Sequence, residues 1–580
     1  MPSAPPSNAV IADALDELGD LYELDGAIVH RVVAYRSAAK AVREASVSVA
    51  TLAAEGRATE LAGIGKTLQE KIQALAATGE IPAAVKLRAK FPPGLIALTR
   101  LPGLGPKRAR MLHSELGIDS PEALEQAARA QRLRSVRGLG PKFEANMLAA
   151  LQTQRERPEG RGGRVILPRA LELGEQIVAG LQDLGGRGTH VELAGSVRRL
   201  ADSVKDLDIV ATTTRPTALA RGLAKLDEIE SVSSAGKAGA RGRTHAGIDV
   251  ELRIAKPSQR GNLLQHLTGS GRHNAALREA AVRRGLHVSE YGILDDATAG
   301  TLECATEREV YERLGLAYIE PELREDRGEL EAAASAGGLP RLIELGDIRG
   351  DLHSHTTASD GHNTIEEMGR AARERGYEYL AITDHSASHG FGDDVSPEQL
   401  RRQIELVRDA DARLEGIQLL AGSEVNILPD GALDYDDELL AELDWVIASV
   451  HTSFGSSEQA MTERIITAIE HPLVRAIAHP TGRLIERRQP YAVDLEAVFA
   501  AAARSATMLE INANPDRRDL SDLNARAAAR AGVTIVIDSD AHRTATLANM
   551  RWGIATARRA WLRSEDVANT RPWAELRRGA

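Results

Sequence analysis

The chain has 580 residues, 27% of them charged, with a formal net charge of −11, 16 histidines and one cysteine. That length calls for two to four domains, and no apolar run is long enough to span a bilayer, so no transmembrane helix is expected. The lone Cys304 excludes intrachain disulfides and thiolate-rich zinc sites, so bound metal must rest on imidazole and carboxylate, and the thiol itself reads as a buried one.

The opening MPSAPPSNAV lacks the basic-then-apolar order of a secretion signal, so a cytoplasmic location is expected. Residues 1–158 carry 21 Lys and Arg against 17 Asp and Glu, which makes them +4 in a chain whose remainder is −15. A net-acidic protein of this kind can still present a local basic face to phosphates. Residues 8–157 read as short amphipathic helices separated by glycine pairs. Three of these punctuations repeat one pattern: LAGIGK (61–66), LPGLGPK (101–107) and VRGLGPK (136–142). The glycines Gly63 and Gly65, Gly103 and Gly105, and Gly138 and Gly140 leave N–H groups at the next helix start, where they can hold a phosphate oxygen. Lys66, Lys107 and Lys142 follow directly. One such turn is an ordinary helix joint with a solvated lysine, but three copies favour binding of a DNA backbone. They resemble helix-hairpin-helix motifs, which grip DNA without reading its sequence.

RERPEGRGGR (155–164) reads as a linker, after which the pattern becomes α/β. HVELAG, LDIVAT and GIDVELRI are strand-like, with helices at about 170–185 and 215–226 between them. Asp206 and Asp208 lie two apart on one of these strands and so share a face. On the last, Ile248, Val250, Leu252 and Ile254 face a core, and Asp249, Glu251 and Arg253 face a cleft. Solvated acids on a surface strand would explain an isolated Asp-x-Asp. Here the Gly195–Ser196 turn and Arg199 add N–H donors and a planar cation suited to a phosphate chain. Three carboxylates can hold two magnesium ions, one activating a hydroxyl and one neutralising a leaving pyrophosphate, which is the outline of nucleotidyl transfer.

Residues 258–325 return to helix and loop, with a short hairpin near VSEYGILDD, and the glycine- and acid-rich 326–346 reads as a second linker. From 347, seven apolar strands alternate with helices: DLHSH, YLAITDH, IQLLAGSEVNI, DWVIASVHTSF, VRAIAHP, TMLEINA and VTIVIDSDAH. This predicts a parallel barrel whose function gathers at the strand C-terminal ends. Those ends supply His353, His355, Asp360, His385, Glu424, His451, His479, Asp540 and His542. Nine nitrogen and oxygen donors suffice for three metals and suit zinc, manganese or iron. Glu424 is the best bridging carboxylate, and the implied reaction is phosphoester hydrolysis. His362, His389 and His471 are read as packed or surface residues outside this set.

The middle of the chain resembles the palm of the family X DNA polymerases through Gly195, Ser196, Arg198, Arg199, Asp206, Asp208 and the Thr-Gly-Ser turn of LTGSGRHN (267–274). By that resemblance Ser196 and Arg199 hold an incoming triphosphate with Gly195 and Gly269, Asn274 touches the nascent base pair, and Arg278 reaches the template strand. The family's N-terminal helical domain binds a 5′-phosphate across a gap, and Lys71 in GIGKTLQEKI falls at the Schiff-base lyase position of some members. Two departures stand out. The third aspartate falls on Glu251, one methylene longer, and the aromatic residue before Thr-Gly-Ser is Leu267. They put full polymerase rate and sugar selectivity in question.

The C-terminal block resembles the PHP (polymerase and histidinol phosphatase) family across its span, through HSHTTASDG, TDH, GSE, SVH, AHP and DSDAH in order. In bacterial family X polymerases such a module is a 3′→5′ exonuclease. The resemblances imply an all-α helix-hairpin-helix region (1–90 lyase-like, 91–158 fingers-like), an α/β nucleotidyltransferase palm (159–257) with a thumb (258–325), and a distorted (β/α)7 PHP barrel (347–580). They also imply Mg2+ in the palm, a trinuclear Mn2+ or Zn2+ centre in the barrel, gapped or 3′-ended DNA and dNTPs as partners, no membrane, a monomer, and base excision repair as the setting. Three alternatives stay open: a nuclease whose palm is weakened by Glu251, a DNA-end scaffold without turnover, and a barrel that hydrolyses a small phosphate ester such as histidinol phosphate, which the attached DNA-binding domains disfavour.

Overall fold

The computed structural model describes residues 5–577 apart from Arg100, Pro102, residues 157–162, Phe391 and Asp393. The chain divides into two compact units. The first comprises Met1–Arg164, Leu173–Glu192 and Lys205–Ile254, and the second Val165–Glu172, Leu193–Val204 and Ala255–Ala580. The central six residues of the linker predicted at 155–164 lie outside the described residues.

The first unit opens with short helices from Asn8–Leu24 to Pro141–Glu156, packed around a core of alanine and leucine. The three repeated turns have one geometry. Gly63, Gly103 and Gly138 take φ of +86°, +82° and +85°, and Ile64, Leu104 and Leu139 are buried. At Gly63 and Gly138 a Cβ would meet nothing within 4 Å, so glycine is required by the left-handed backbone and not by space. Gly65 and Gly105 cap the helices Lys66–Thr78 and Pro106–Leu116.

The rest of this unit is built on a five-stranded sheet: β1 (His190–Leu193), β2 (Asp206–Thr212), β3 (Ile229–Gly236), β4 (Gly239–Thr244) and β5 (Asp249–Ala255), in spatial order β1-β2-β5-β4-β3. The predicted strands are β1, β2 and β5, and the predicted helices are observed at Leu167–Gly185 and Pro216–Gly222. The β3–β4 hairpin is an addition that the sequence reading lacks. Its text, IESVSSAGKAGARGRT, is rich in Gly, Ala and Ser and has little intrinsic strand preference. Pairing with β5 creates it, and Gly239 is obligatory because a Cβ there would lie 1.8 Å from the Leu252 carbonyl oxygen.

In the second unit, helices Arg260–Thr268, Gly271–Val282 and Glu307–Arg313 pack with a three-stranded antiparallel meander, β6 (Leu286–Ser289), β7 (Gly292–Asp295) and β8 (Gly300–Leu302). The predicted hairpin is β6–β7. Cys304 is buried in this core. Residues 326–346 are not an open linker: they include the helix Glu329–Ala334, and Leu330, Ala333 and Leu342 join the same core. The buried Glu329 carboxylate accepts from the Asp326 and Arg327 N–H groups and meets His273 Nδ1 at 2.6 Å. That partner lies 56 residues upstream, so composition alone could not reveal it.

The remainder is a barrel of seven parallel strands in chain order: β9 (Gly350–Asp351), β10 (Tyr379–Ile382), β11 (Gln418–Asn426), β12 (Trp445–Ser449), β13 (Ala476–Ile477), β14 (Met508–Asn512) and β15 (Ile535–Asp538). First and last strands meet past their ends through a parallel bridge between Ser354 and Ala541, where the His355 N–H donates to the Ala541 carbonyl at 2.9 Å. β9 is shorter than DLHSH implied, so His353 and His355 stand beyond the strand, held by this bridge. Capping boxes at Thr364–Glu367 and Ser396–Gln399 start the first two covering helices.

Candidate metal centre and palm carboxylates

Six of the seven strand ends of the barrel converge on one cage. His353, His355 and Asp360 follow β9, His385 follows β10, Glu424 lies in β11, and His451 and His479 follow β12 and β13; Asp540 and His542 follow β15. Glu424 is central. One carboxylate oxygen lies 2.9 Å from His479 and 3.2 Å from His451, and the other 2.8 Å from His385, 3.4 Å from His353 and 3.7 Å from His355. Asp540 lies 3.2 Å from His355, and Asp360 lies 3.2 Å from His542 and 3.6 Å from His385. His353 and His355 are fully buried, while Asp360, 40% exposed, forms the mouth. His479 and Asp540 have φ of +30° and +51°, left-handed values that non-glycine residues hold only where the surroundings impose them.

Burial opposes charge throughout this cage, and partners decide the outcome. Burial would raise Glu424 and Asp540, but His451, His353 and His385 hold the first well below the carboxylate range, and His353, His355 and His542 the second. His385 is pushed up to about 10, burial being outweighed by Glu424 and Asp360, and His542 to about 9 by Asp360 and Asp540. His355 drops to about 4 because burial is joined by His542 and His385, and His479 to about 3 because it is joined by Arg517. The buried Nε2 of His353, both ring nitrogens of His355 and Nδ1 of His479 lack a hydrogen-bond partner in the protein. Orphaned imidazole nitrogens beside ionised carboxylates are donors shaped for a cation. Three groups bring one ligand atom each within 4.8 Å of one another: His355, Asp360, His385 and His542; His353, His355 and Asp540; and His385, Glu424 and His451.

Several supporting residues escaped the sequence reading. Asp384 accepts from the Thr356 N–H and hydroxyl, Ser359 and Gln403, tying down the loop that carries His355 and Asp360. Glu510 and Asn512 of β14 sit behind His353, His479 and Asp540. His389 is packed, as read, yet not remote from the set. It is buried, its ring stacks on His385 with centroids 4.3 Å apart, and it pairs with Asp394. His362 is exposed, and His471 pairs with Asp437 at 3.1 Å.

The palm carboxylates are arranged differently. Asp206 and Asp208 of β2 and Asp249 and Glu251 of β5 line one groove of about 430 Å³ with Ser231, Ser233, Arg241 and Arg243. Glu251 is paired with Arg241 at 3.0 Å and lies 3.7 Å from Arg253, and Asp249 is paired with Arg243 at 2.8 Å. Arg241 and Arg243 come from β4, the strand that sequence reading missed.

Gly195 and Ser196 begin the short helix Gly195–Arg198, with Gly195 at φ +65°. Arg199, expected at a triphosphate, is engaged in the protein: its Nε lies 3.0 Å from Glu325 and its Nη1 donates to the Thr268 carbonyl. Arg559 shares Glu325 at 3.0 Å. Arg198 pairs with Glu307 at 2.6 Å, and Arg324 also holds Glu307. Asn274, expected at a base pair, donates to the His266 carbonyl at 2.6 Å and accepts from Gln265, which fixes the turn at Gly269. A Cβ on Gly269 would lie 2.8 Å from Asn274 Oδ1. Arg278 is exposed and Leu267 half-buried. In the helical region Lys66, Lys107 and Lys142 are exposed beside their glycine turns, and Lys71 is half-buried on its helix.

Comparison with known proteins matches four segments of the chain. Residues 6–81 match the helix-hairpin-helix domain, 95–153 the SAM-like helix-hairpin-helix tandem, 263–325 the DNA polymerase beta thumb and 351–513 the PHP domain. The chain is 37% identical over 562 residues to the DNA polymerase/3′-5′ exonuclease PolX of Bacillus subtilis (strain 168), covering 96% of each protein. Over 38% of its length it is 30% identical to a probable phosphatase of Syntrophotalea carbinolica, and 33% identical to one of Thermoanaerobacter sp. (strain X514), covering 90% and 89% of those proteins.

Proposed function

Because the chain belongs to the family of the DNA polymerase/3′-5′ exonuclease PolX, we propose that it fills short DNA gaps with its palm and trims 3′ ends in its barrel. The observation that carries the reading is the closed cage around Glu424, in a chain that also bears paired palm carboxylates and helix-hairpin-helix turns. No helix of the described residues is long and apolar enough to cross a membrane.

In the barrel, His353, His355, Asp360, His385, Glu424, His451, His479, Asp540 and His542 would hold up to three ions, and their nitrogen and oxygen donors fit Mn2+ or Zn2+. Bound there, such ions supply a hydroxide nucleophile and neutralise the phosphodiester. Glu424, within 3.7 Å of five imidazoles, gathers them around one point. Asp360 and His542, at the more exposed side, border the route by which a 3′ end enters.

In the palm, Asp206, Asp208 and Glu251 would hold Mg2+, which supplies charge neutralisation for nucleotidyl transfer. Ser196 and Arg199 are assigned to the triphosphate, which must draw Arg199 away from Glu325. Asn274 and Arg278 are assigned to base pair and template, Lys66, Lys107 and Lys142 to backbone phosphates, and Lys71 to lyase chemistry.

A second reading, a nuclease with a weak palm, is favoured by one observation: Glu251 is longer than aspartate and already occupied by Arg241. A one-nucleotide gap assay with Mg2+, Mn2+ and Zn2+ in turn, scoring extension and 3′ degradation together, decides between them. Both activities are expected. Degradation without extension under every metal leaves the nuclease reading, and neither activity leaves a DNA-end scaffold.

A further inference from the structure

β14 is the strand of the barrel that contributes no residue to the cage, yet it carries a fully buried carboxylate pointing at it. Glu510 Oε1 lies 2.7 Å from His353 Nδ1, while Oε2 accepts from the His479 backbone N–H at 2.6 Å and from Asn512 Nδ2 at 3.1 Å. The same Asn512 Nδ2 reaches Asp540 Oδ2 at 3.0 Å. One side chain therefore touches two ligand-bearing residues directly and a third through its neighbour.

We propose that Glu510 is the positioning residue of the barrel's metal centre, setting the His353 tautomer and fixing His353, His479 and Asp540 relative to one another. The inference rests on the metal-centre reading given above. A carboxylate offers only acceptors, so His353 Nδ1 must carry a hydrogen, and in the neutral imidazole that metal binding requires, Nε2 is left to present its lone pair to the side where Glu424 and Asp540 stand. That Nε2 is the buried nitrogen without a hydrogen-bond partner.

The isosteric Glu510→Gln variant makes the role specific. The Oε2 side faces two obligatory donors, the His479 N–H and Asn512 Nδ2, whose own Oδ1 is taken by the Asn514 N–H. A glutamine must put its carbonyl there and its NH2 toward His353 Nδ1. His353 then has to accept at Nδ1 and carry its hydrogen on Nε2, the nitrogen meant for metal.

The test is equilibrium dialysis of the full-length chain against Mn2+ and against Zn2+, counting metal per chain, with metal-free thermal unfolding as the fold control. Glu510→Gln is expected to unfold cooperatively without metal, yet to bind its most affected ion about 10- to 100-fold more weakly. In a His353→Ala background that deficit should shrink severalfold, because Glu510 acts largely through His353; a purely structural role would add instead. If Glu510→Gln does not fold, Glu510→Asp serves, since it keeps the charge but is too short to reach His353 and the His479 N–H together. Wild-type metal binding with undiminished affinity in the variant, or full additivity with His353→Ala, overturns the assignment of Glu510 alone. A wild-type chain that takes up neither metal overturns the metal-centre reading, and the assignment with it.

Discussion

The barrel cage and the palm groove hold the same kind of donor in opposite states of readiness. In the barrel, imidazoles and carboxylates already gather in three groups, each with ligand atoms within 4.8 Å of one another, mostly buried and braced from behind by Asp384, Glu510 and Asn512. In the palm, Glu251 and Asp249 are spent on Arg241 and Arg243 in an open groove. The difference teaches where each centre obtains its order. A cage whose donors are held in place needs only to exchange protons for metal. A groove whose carboxylates are ion-paired must rearrange, and under the proposed function an incoming triphosphate with its own Mg2+ would be the agent.

The largest expected effect comes from removing the centre of the ready site. Glu424→Ala should lower 3′ hydrolysis of end-labelled DNA more than about 100-fold, since it removes the shared carboxylate from five imidazoles and with it the proposed hold on metal. Hydrolysis surviving that change would move the reaction elsewhere and erase the contrast.

Acid sharpens the comparison with a carboxylate held by guanidinium groups of the protein and not by a metal ion. Burial would raise Glu307, but Arg324 and Arg198 outweigh it and bring it down to about 2. A depressed carboxyl contributes stability that is present above its unfolded value of 4.5 and is lost as pH falls through about 2. Chemical denaturation of the metal-free chain between pH 5 and pH 2, compared with Glu307→Gln, should show about 3 kcal/mol disappearing only from the wild type, from the size of that shift. Equal pH dependence in both proteins would show that Arg198 and Arg324 do not hold this carboxyl as described.

In the palm, Glu251→Asp should raise single-gap extension about tenfold, because displacements of about 1 Å at a reacting centre carry rate penalties of up to roughly 100-fold. A slower Glu251→Asp enzyme would mean that the longer side chain is suited to this groove. The smallest expected effect is that of Arg241→Gln. Its partner Glu251 is freed from an accessible ion pair worth under about 1 kcal/mol, so the Mg2+ concentration for half-maximal extension should fall only a few-fold. No change, or a rise, would show that Arg241 does not compete with the metal.

The legibility of the two sites follows the same line. All nine cage residues could be named from the text, because they stand at the ends of strands whose apolar runs and spacing are local signals. Glu510 lies in one of the same apolar runs, TMLEINA, but a carboxylate in a buried strand has no spacing motif; its role depends on which strands flank it. In the palm, Asp206, Asp208 and Glu251 were named from alternation, while Arg241 and Arg243 were not, because β3 and β4 are strands made by pairing and not by propensity. Arg199 was read as free to clamp phosphate, and its partner Glu325 lies 126 residues away.

By itself the sequence determined the donor types, the glycine turns that only left-handed backbone explains, the period-2 strands and the order of the motifs. Each of these is a property of a few neighbouring residues. The tertiary structure alone decided which charges meet: Glu424 with five imidazoles, Glu251 with Arg241, Glu329 with His273, Arg199 with Glu325 and Arg559. Electrostatic and hydrogen-bond partnerships act over about 3 Å in space, and barrel closure and sheet register bring together side chains that the chain keeps tens to hundreds of residues apart.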